Sequence, residues 1–194
     1  MEIIQVVKRF GLCGGMEEYV FRLAEELSKF GHKVKVLCEF QVTQANQQVQ
    51  VIQLGKSLEK PRWFSHVQFS NKVSKWLNSY ESKSHLIHSH ERIYSHHLTT
   101  VHSTLFNFPK KGLPSFRKYM NETLEKRELF SKNVKKIVPV SKIISEQIKT
   151  KFPESESRLS YPIPPGVNRN LLKLSLIQAH QSYLSWRGNL VHLM

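Results

Sequence analysis

Cysteine is almost missing from this chain. Its 194 residues hold two, Cys13 and Cys38, too few for a disulfide framework and without the CxxC spacing of a zinc knuckle, so two reduced thiols are expected. Long apolar runs are missing too: nothing approaches the roughly 18 to 20 residues that a membrane-spanning helix needs. Met1-Glu2-Ile3-Ile4 lacks the basic and apolar regions of a secretory leader, so a cytoplasmic location is expected. Acidic residues are scarce, 15 against 29 Lys and Arg, for a net charge of +14. Such a field draws nucleic acid, anionic lipid or phosphorylated glycan alike. An RNP-like aromatic pair and zinc spacing are both absent, so no specific nucleic-acid partner is expected.

What remains reads as a folded α/β domain. Hydrophobic content of 40% and charged content of 23% are globular, and the length suits a single domain. Ile3–Val7 is a short β-rich run. After the loop Lys8–Gly15, the residues Met16, Val20, Leu23, Ala24 and Leu27 recur at helical spacing. Glu17 and Glu18 suit the helix N-terminus, Lys29 the C-terminus, and Gly31 supplies an αL cap. Val34–Cys38 follows as a strand, and β-loop-α-β order implies a right-handed crossover in a parallel sheet. Val49–Leu54, Leu86–His88, Leu98–Val101 and Ile137–Val140 read as further strands, Phe64–Tyr80 and Ser115–Phe130 as helices, and Phe106–Phe116 as a surface loop. Ser141 is placed to cap a last helix that Pro153 stops, after which Leu159–Ile163 would return to the sheet. The composition breaks after Pro164-Pro165-Gly166-Val167, a rigid corner. A domain over residues 1–167 and an atypical tail over 168–194 are expected, with a short helix over Leu171–Ile177.

Gly11-Leu12-Cys13-Gly14-Gly15 joins the first strand to the first helix. Backbone N–H groups and the helix dipole can hold a phosphate there, and side chains would block close approach. The loop serves equally as a tight turn. It is not a GxGxxG fingerprint, since the spacing differs and no strand-ending acid is read about 20 residues on. His88 and His90 stand two apart and share a strand face; His88-x-His90-Glu91 offers a metal three ligands only superficially, with no partner motif.

Several segments together resemble glycosyltransferase family 4. They are Gly14-Gly15-Met16-Glu17-Glu18-Tyr19-Val20, Leu23-Ala24, Leu27, Gly31-His32-Lys33-Val34, Ile87-His88-Ser89-His90-Glu91, Thr100-Val101-His102, Leu124-Glu125, Val138-Pro139-Val140-Ser141 and Pro164-Pro165-Gly166-Val167-Asn168, in family order. The resemblance implies a Rossmann-like parallel sheet flanked by helices, the N-terminal, acceptor-side half of a GT-B architecture. It implies a retaining transfer from a nucleotide sugar to a surface glycan or lipid-linked acceptor such as lipopolysaccharide. Gly14 and Gly15 would then face the donor diphosphate, His102 would be the catalytic-site residue bonding a sugar hydroxyl, and His88, His90, Glu91 and Arg92 would line the acceptor cleft. Without the resemblance, His102 reads as a strand-end histidine satisfied by backbone. No metal or other cofactor is implied, because such enzymes handle diphosphate with helix dipoles and basic side chains.

Glu91, Arg92, His96 and His97 read equally well as solvated loop residues. Lys110, Lys111, Arg117, Lys118, Lys126 and Arg127 lie among Phe and Leu, so a basic face could rest on anionic membrane at the inner leaflet, or be an ordinary solvated surface. The family's donor-side Glu-x7-Glu motif does not follow Asn168. A truncation or altered frame is the expected cause, with negligible transfer by this chain alone. The alternative is a non-catalytic acceptor- or membrane-binding fragment, or the partner subunit of a split transferase with a separate donor domain.

Overall fold

The computed structural model describes residues 1–81, 85–105 and 116–166. The expected loop at 106–115, with Lys110 and Lys111, and the tail from 168, with its Leu171–Ile177 helix, lie outside them. Strand β1 (Glu2–Val6) leads through a two-residue strand β2 (Arg9–Phe10) to helix α1 (Gly15–Lys29) and strand β3 (Lys33–Cys38). Then come β4 (Phe40–Gln41), β5 (Val49–Gln53), α2 (Arg62–Asn78), β6 (His85–Ser89), β7 (Leu98–Val101), α3 (Phe116–Phe130), β8 (Lys136–Pro139), α4 (Lys142–Lys151) and a 3-10 turn over Pro153–Arg158.

Six strands form one sheet in the order β5-β3-β1-β6-β7-β8, and every pair is parallel. The chain runs outward from β1 to β5, returns to lay β6 on the other side of β1, and runs outward again. That reversal places a crevice at the C-terminal ends of β1 and β6, where open α/β sheets bind ligands. The expected Rossmann-like α/β fold is the observed one.

Helices cover both faces because parallel strands are buried on both sides. Val20, Phe21 and Ala24 of α1 pack with Val7, Val34, Val36 and Val49. On the other face Phe69 and Val73 of α2 meet Ile4, Val6, Leu37 and Ile87. A third cluster joins Val101 and Ile137 to Leu129 of α3 and to Ile144 and Ile148 of α4. Each such side chain contributes about 1.5–3 kcal/mol on burial.

The end signals work as read. Gly31 has φ +81° with open space around a would-be Cβ, so conformation alone demands glycine there. Ser141 Oγ accepts from Ile144 N at 3.3 Å at the start of α4. Two expectations need correction. Leu159–Ile163 runs beside β8 but pairs through a single bridge, Leu159 to Ile137, because Pro162 and Pro164 have no N–H to extend a ladder. The paired strands β2 and β4 went unread, being too short to show periodicity.

Candidate functional site

Period-two alternation puts Gln5 of β1, His88 and His90 of β6 and its continuation, and Thr100 and His102 at β7 on one face of the sheet. Parallel register sets Gln5 beside His88, and these side chains join across the strands. His88 Nε2 lies 2.7 Å from Thr100 Oγ1, His90 Nε2 lies 2.7 Å from Gln5 Oε1, and His90 Nδ1 lies 3.0 Å from His102 Nε2. Tyr19 of α1 sets its ring edge-on to His90 and His102, with centroids 5.7 and 5.1 Å away.

Burial pushes all three imidazoles down: His88 to about 3 and His102 to about 4, with His90 also well below its ordinary value. For His102 the Glu17 carboxylate opposes the shift. All three rings are therefore neutral near neutral pH, each with one N–H and one lone pair.

The glycine turn lies at the same edge of the sheet. Leu12 N donates to Thr43 Oγ1 at 2.9 Å, and a Cβ on Gly11 (φ +144°) would meet Thr43 N at 2.5 Å. Gly14 precedes α1 without a side-chain cap, which leaves first-turn N–H groups to other partners. A Cβ on Gly14 would sit 2.4 Å from Glu17 Oε2, so the carboxylate folds back beneath the turn. Arg9 neutralises it: Nε donates to Glu17 Oε1 at 2.9 Å and Nη2 lies 2.5 Å away. The same carboxylate acts on His102, so Glu17 links the turn electrostatically to the histidines.

The glycosyltransferase family 4 model matches residues 13–171. The chain belongs to glycosyltransferase family 4. Its fold is shared with WaaG, described as a glycosyltransferase involved in lipopolysaccharide biosynthesis, at TM-score 0.72 and 12% identity over 86% of this chain and 45% of that one. A glycosyltransferase from Rickettsia africae ESF-5 gives TM-score 0.51 and 21% identity over 86% of this chain and 43% of that one. The chain thus spans less than half the length of either solved structure. Among curated proteins no relative matches.

Of the remaining sequence-derived residues of this family 4 lobe, His88, His90 and Glu91 are buried and Arg92 is half-buried. Glu91 Oε1 accepts from Lys8 N at 3.2 Å and Lys8 Nζ donates to Ser65 Oγ at 2.6 Å, which ties the β1 loop to α2. Burial raises the Glu91 carboxyl to about 7. Arg92 reaches Glu125 Oε1 at 3.4 Å, and Lys151 reaches Glu125 Oε2 at 2.6 Å. Thr99 Oγ1 donates to Glu128 Oε1 at 2.9 Å, so α3 is clamped to β7 and α4 by buried carboxylates. His96, also read as solvated, is fully buried. Glu91, Arg92 and His96 look exposed by their polarity, while contacts with Lys8 and with Glu125 of α3 draw the first two inward.

Sequence reasoning missed Gln5, Tyr19 and Glu39. Gln5 had a signal, a single amide inside the run Ile3-Ile4-Gln5-Val6-Val7. Glu39 directly follows β3, the position read as lacking an acid. Its carboxylate is already engaged, lying 3.6 Å from Lys8 Nζ and accepting from Ser57 N at 3.2 Å. Among the described residues no three His, Cys, Asp or Glu side chains form a metal-ligand group.

Proposed function

We propose that this lobe forms the acceptor-side wall of a retaining, nucleotide-sugar-dependent transferase that extends a surface glycan or lipid-linked acceptor such as lipopolysaccharide. One observation supports the reading: in a family 4 chain, the glycine turn follows β1 and His102 follows β7 at the same edge of the sheet, with Tyr19 of α1 set 5.1 Å from the His102 ring. Gly14 and Gly15 present N–H groups to the donor diphosphate, where Arg9 cancels the nearby negative charge and leaves the helix dipole to act. The reading needs no metal ion for that task. His102 bonds a sugar hydroxyl, over a floor of His88 and His90 and a frame of Glu91 and Arg92.

Transfer needs an opposite, nucleotide-binding wall, on this polypeptide or another, because water must be kept from the reacting sugar. The test is titration of the 194-residue chain with a panel of core oligosaccharides, followed by transfer assays with and without an added family 4 donor lobe. Binding that His102→Ala weakens, with transfer appearing only when the second lobe is added, supports the reading. Absence of glycan binding, or turnover by these residues alone, overturns it.

Membrane contact is the second part of the proposal. Phe116 and Tyr119 at the start of α3 are 66% and 65% exposed beside exposed Arg117, a mixture suited to an anionic surface at the inner leaflet. Among the described residues no helix is long and apolar enough to cross a membrane. Flotation with anionic vesicles at low salt decides it; failure to float ends this part.

A further inference from the structure

Gln5 sits in the central strand, wholly buried, and its amide oxygen can only accept. His90 Nε2 therefore donates to it across their 2.7 Å contact. A neutral imidazole carries one N–H, so His90 Nδ1 is an acceptor and His102 Nε2 must donate to it across 3.0 Å. Both protons are thereby assigned, and His102 Nδ1 is left with a lone pair. That nitrogen has no protein partner among the described residues and is not sealed from solvent. Reversing the Gln5 amide would invert every proton along the chain. The orientation seen leaves Gln5 Nε2 as the buried atom without a partner, so the tautomer of His102 reports which way the amide faces.

We propose that Gln5 is a positioning residue for the transfer reaction: through His90 it sets the tautomer of His102, which then offers an acceptor and not a donor to the crevice. The ligand group selected is a hydroxyl that gives its proton, as a free sugar hydroxyl can and an ether oxygen cannot. Tyr19 assists by fixing the planes of both rings edge-on. The role in transfer rests on the reading of His102 as a sugar contact; the tautomers do not.

The test is long-range proton–nitrogen correlation spectroscopy of the full chain with nitrogen-labelled imidazoles, without ligand, near pH 7. Both His90 and His102 are expected as Nε2–H tautomers. Either ring found mainly as Nδ1–H overturns the proposal. Gln5→Met keeps the length of the side chain and removes its oxygen. It is expected to lower the Nε2–H to Nδ1–H ratio of His102 by about 2- to 10-fold, the weight of one hydrogen bond. An unchanged ratio in folded Gln5→Met protein also overturns it, and if that variant does not fold, the wild-type spectrum decides. Failure of glycan binding would sink the functional reading while leaving these tautomers intact, so the two failures are separable.

Discussion

The two faces of β1 and β6 use the same backbone for opposite ends. Toward α2 they present Ile4, Val6 and Ile87, closed by Phe69 and Val73. Toward the other side they present Gln5, His88 and His90, all buried and joined by hydrogen bonds. Apolar residues would have filled that second face at less desolvation cost, since a buried polar group at best recovers what it loses by leaving water. The α2 face thus supplies stability, and the histidine face supplies a shaped, neutral, hydrogen-bonding surface.

Acid should affect the histidine face most. His66, His88, His96 and His102 have folded values of about 3 to 4 against an ordinary 6.5, and His90 shifts the same way. Below 6.5 the unfolded chain binds more protons at these rings, so their contribution to stability rises with pH from about 4 to 6.5. Glu91 and Glu128 are raised from 4.5 to about 7 and act oppositely, losing stability as pH rises through that window. The histidines outnumber them, so the urea midpoint should climb between pH 4.5 and 6.5, at about 1.4 kcal/mol per pH unit for each uncompensated proton. A flat profile would mean the rings are not buried neutral.

Phe69→Ala should come next. It empties a fully buried site on the α2 face and is expected to cost about 3–5 kcal/mol by denaturant titration. A loss below about 1 kcal/mol would show that the two faces do not divide labour in this way. His102→Ala should weaken glycan binding about 5- to 10-fold, the weight of one hydrogen bond, and should lower the midpoint by less than Phe69→Ala does, through the buried His90 Nδ1 that it strands. Smallest of all, the double replacement His88→Leu with Thr100→Val removes both ends of a buried bond and should shift stability by less than about 1 kcal/mol. His88→Leu alone strands the Thr100 hydroxyl and should cost more than the pair.

Much of this was legible in one dimension. The glycine turn, the capping roles of Gly31 and Ser141, and the shared face of His88 and His90 are local consequences of chain geometry at spacings of a few residues. The family resemblance, carried by short segments in order, led to the same fold that the strand order shows. What stayed hidden were contacts across 12 to 85 residues, such as His90 with His102 and with Gln5. Glu91 and Arg92 were read as open to ligand because a linear pattern does not say which helix will cross above a polar residue.

Strand–helix alternation and the capping residues follow from neighbouring residues, the basic charge from composition, and the family from short motifs kept in order. The pairing of β6 with β1 comes from three-dimensional packing, and with it come the switch point and the buried contacts from Gln5 to His102. The reason is physical: register between distant strands is selected by packing the whole sheet against its helices at once, and no single segment carries that information.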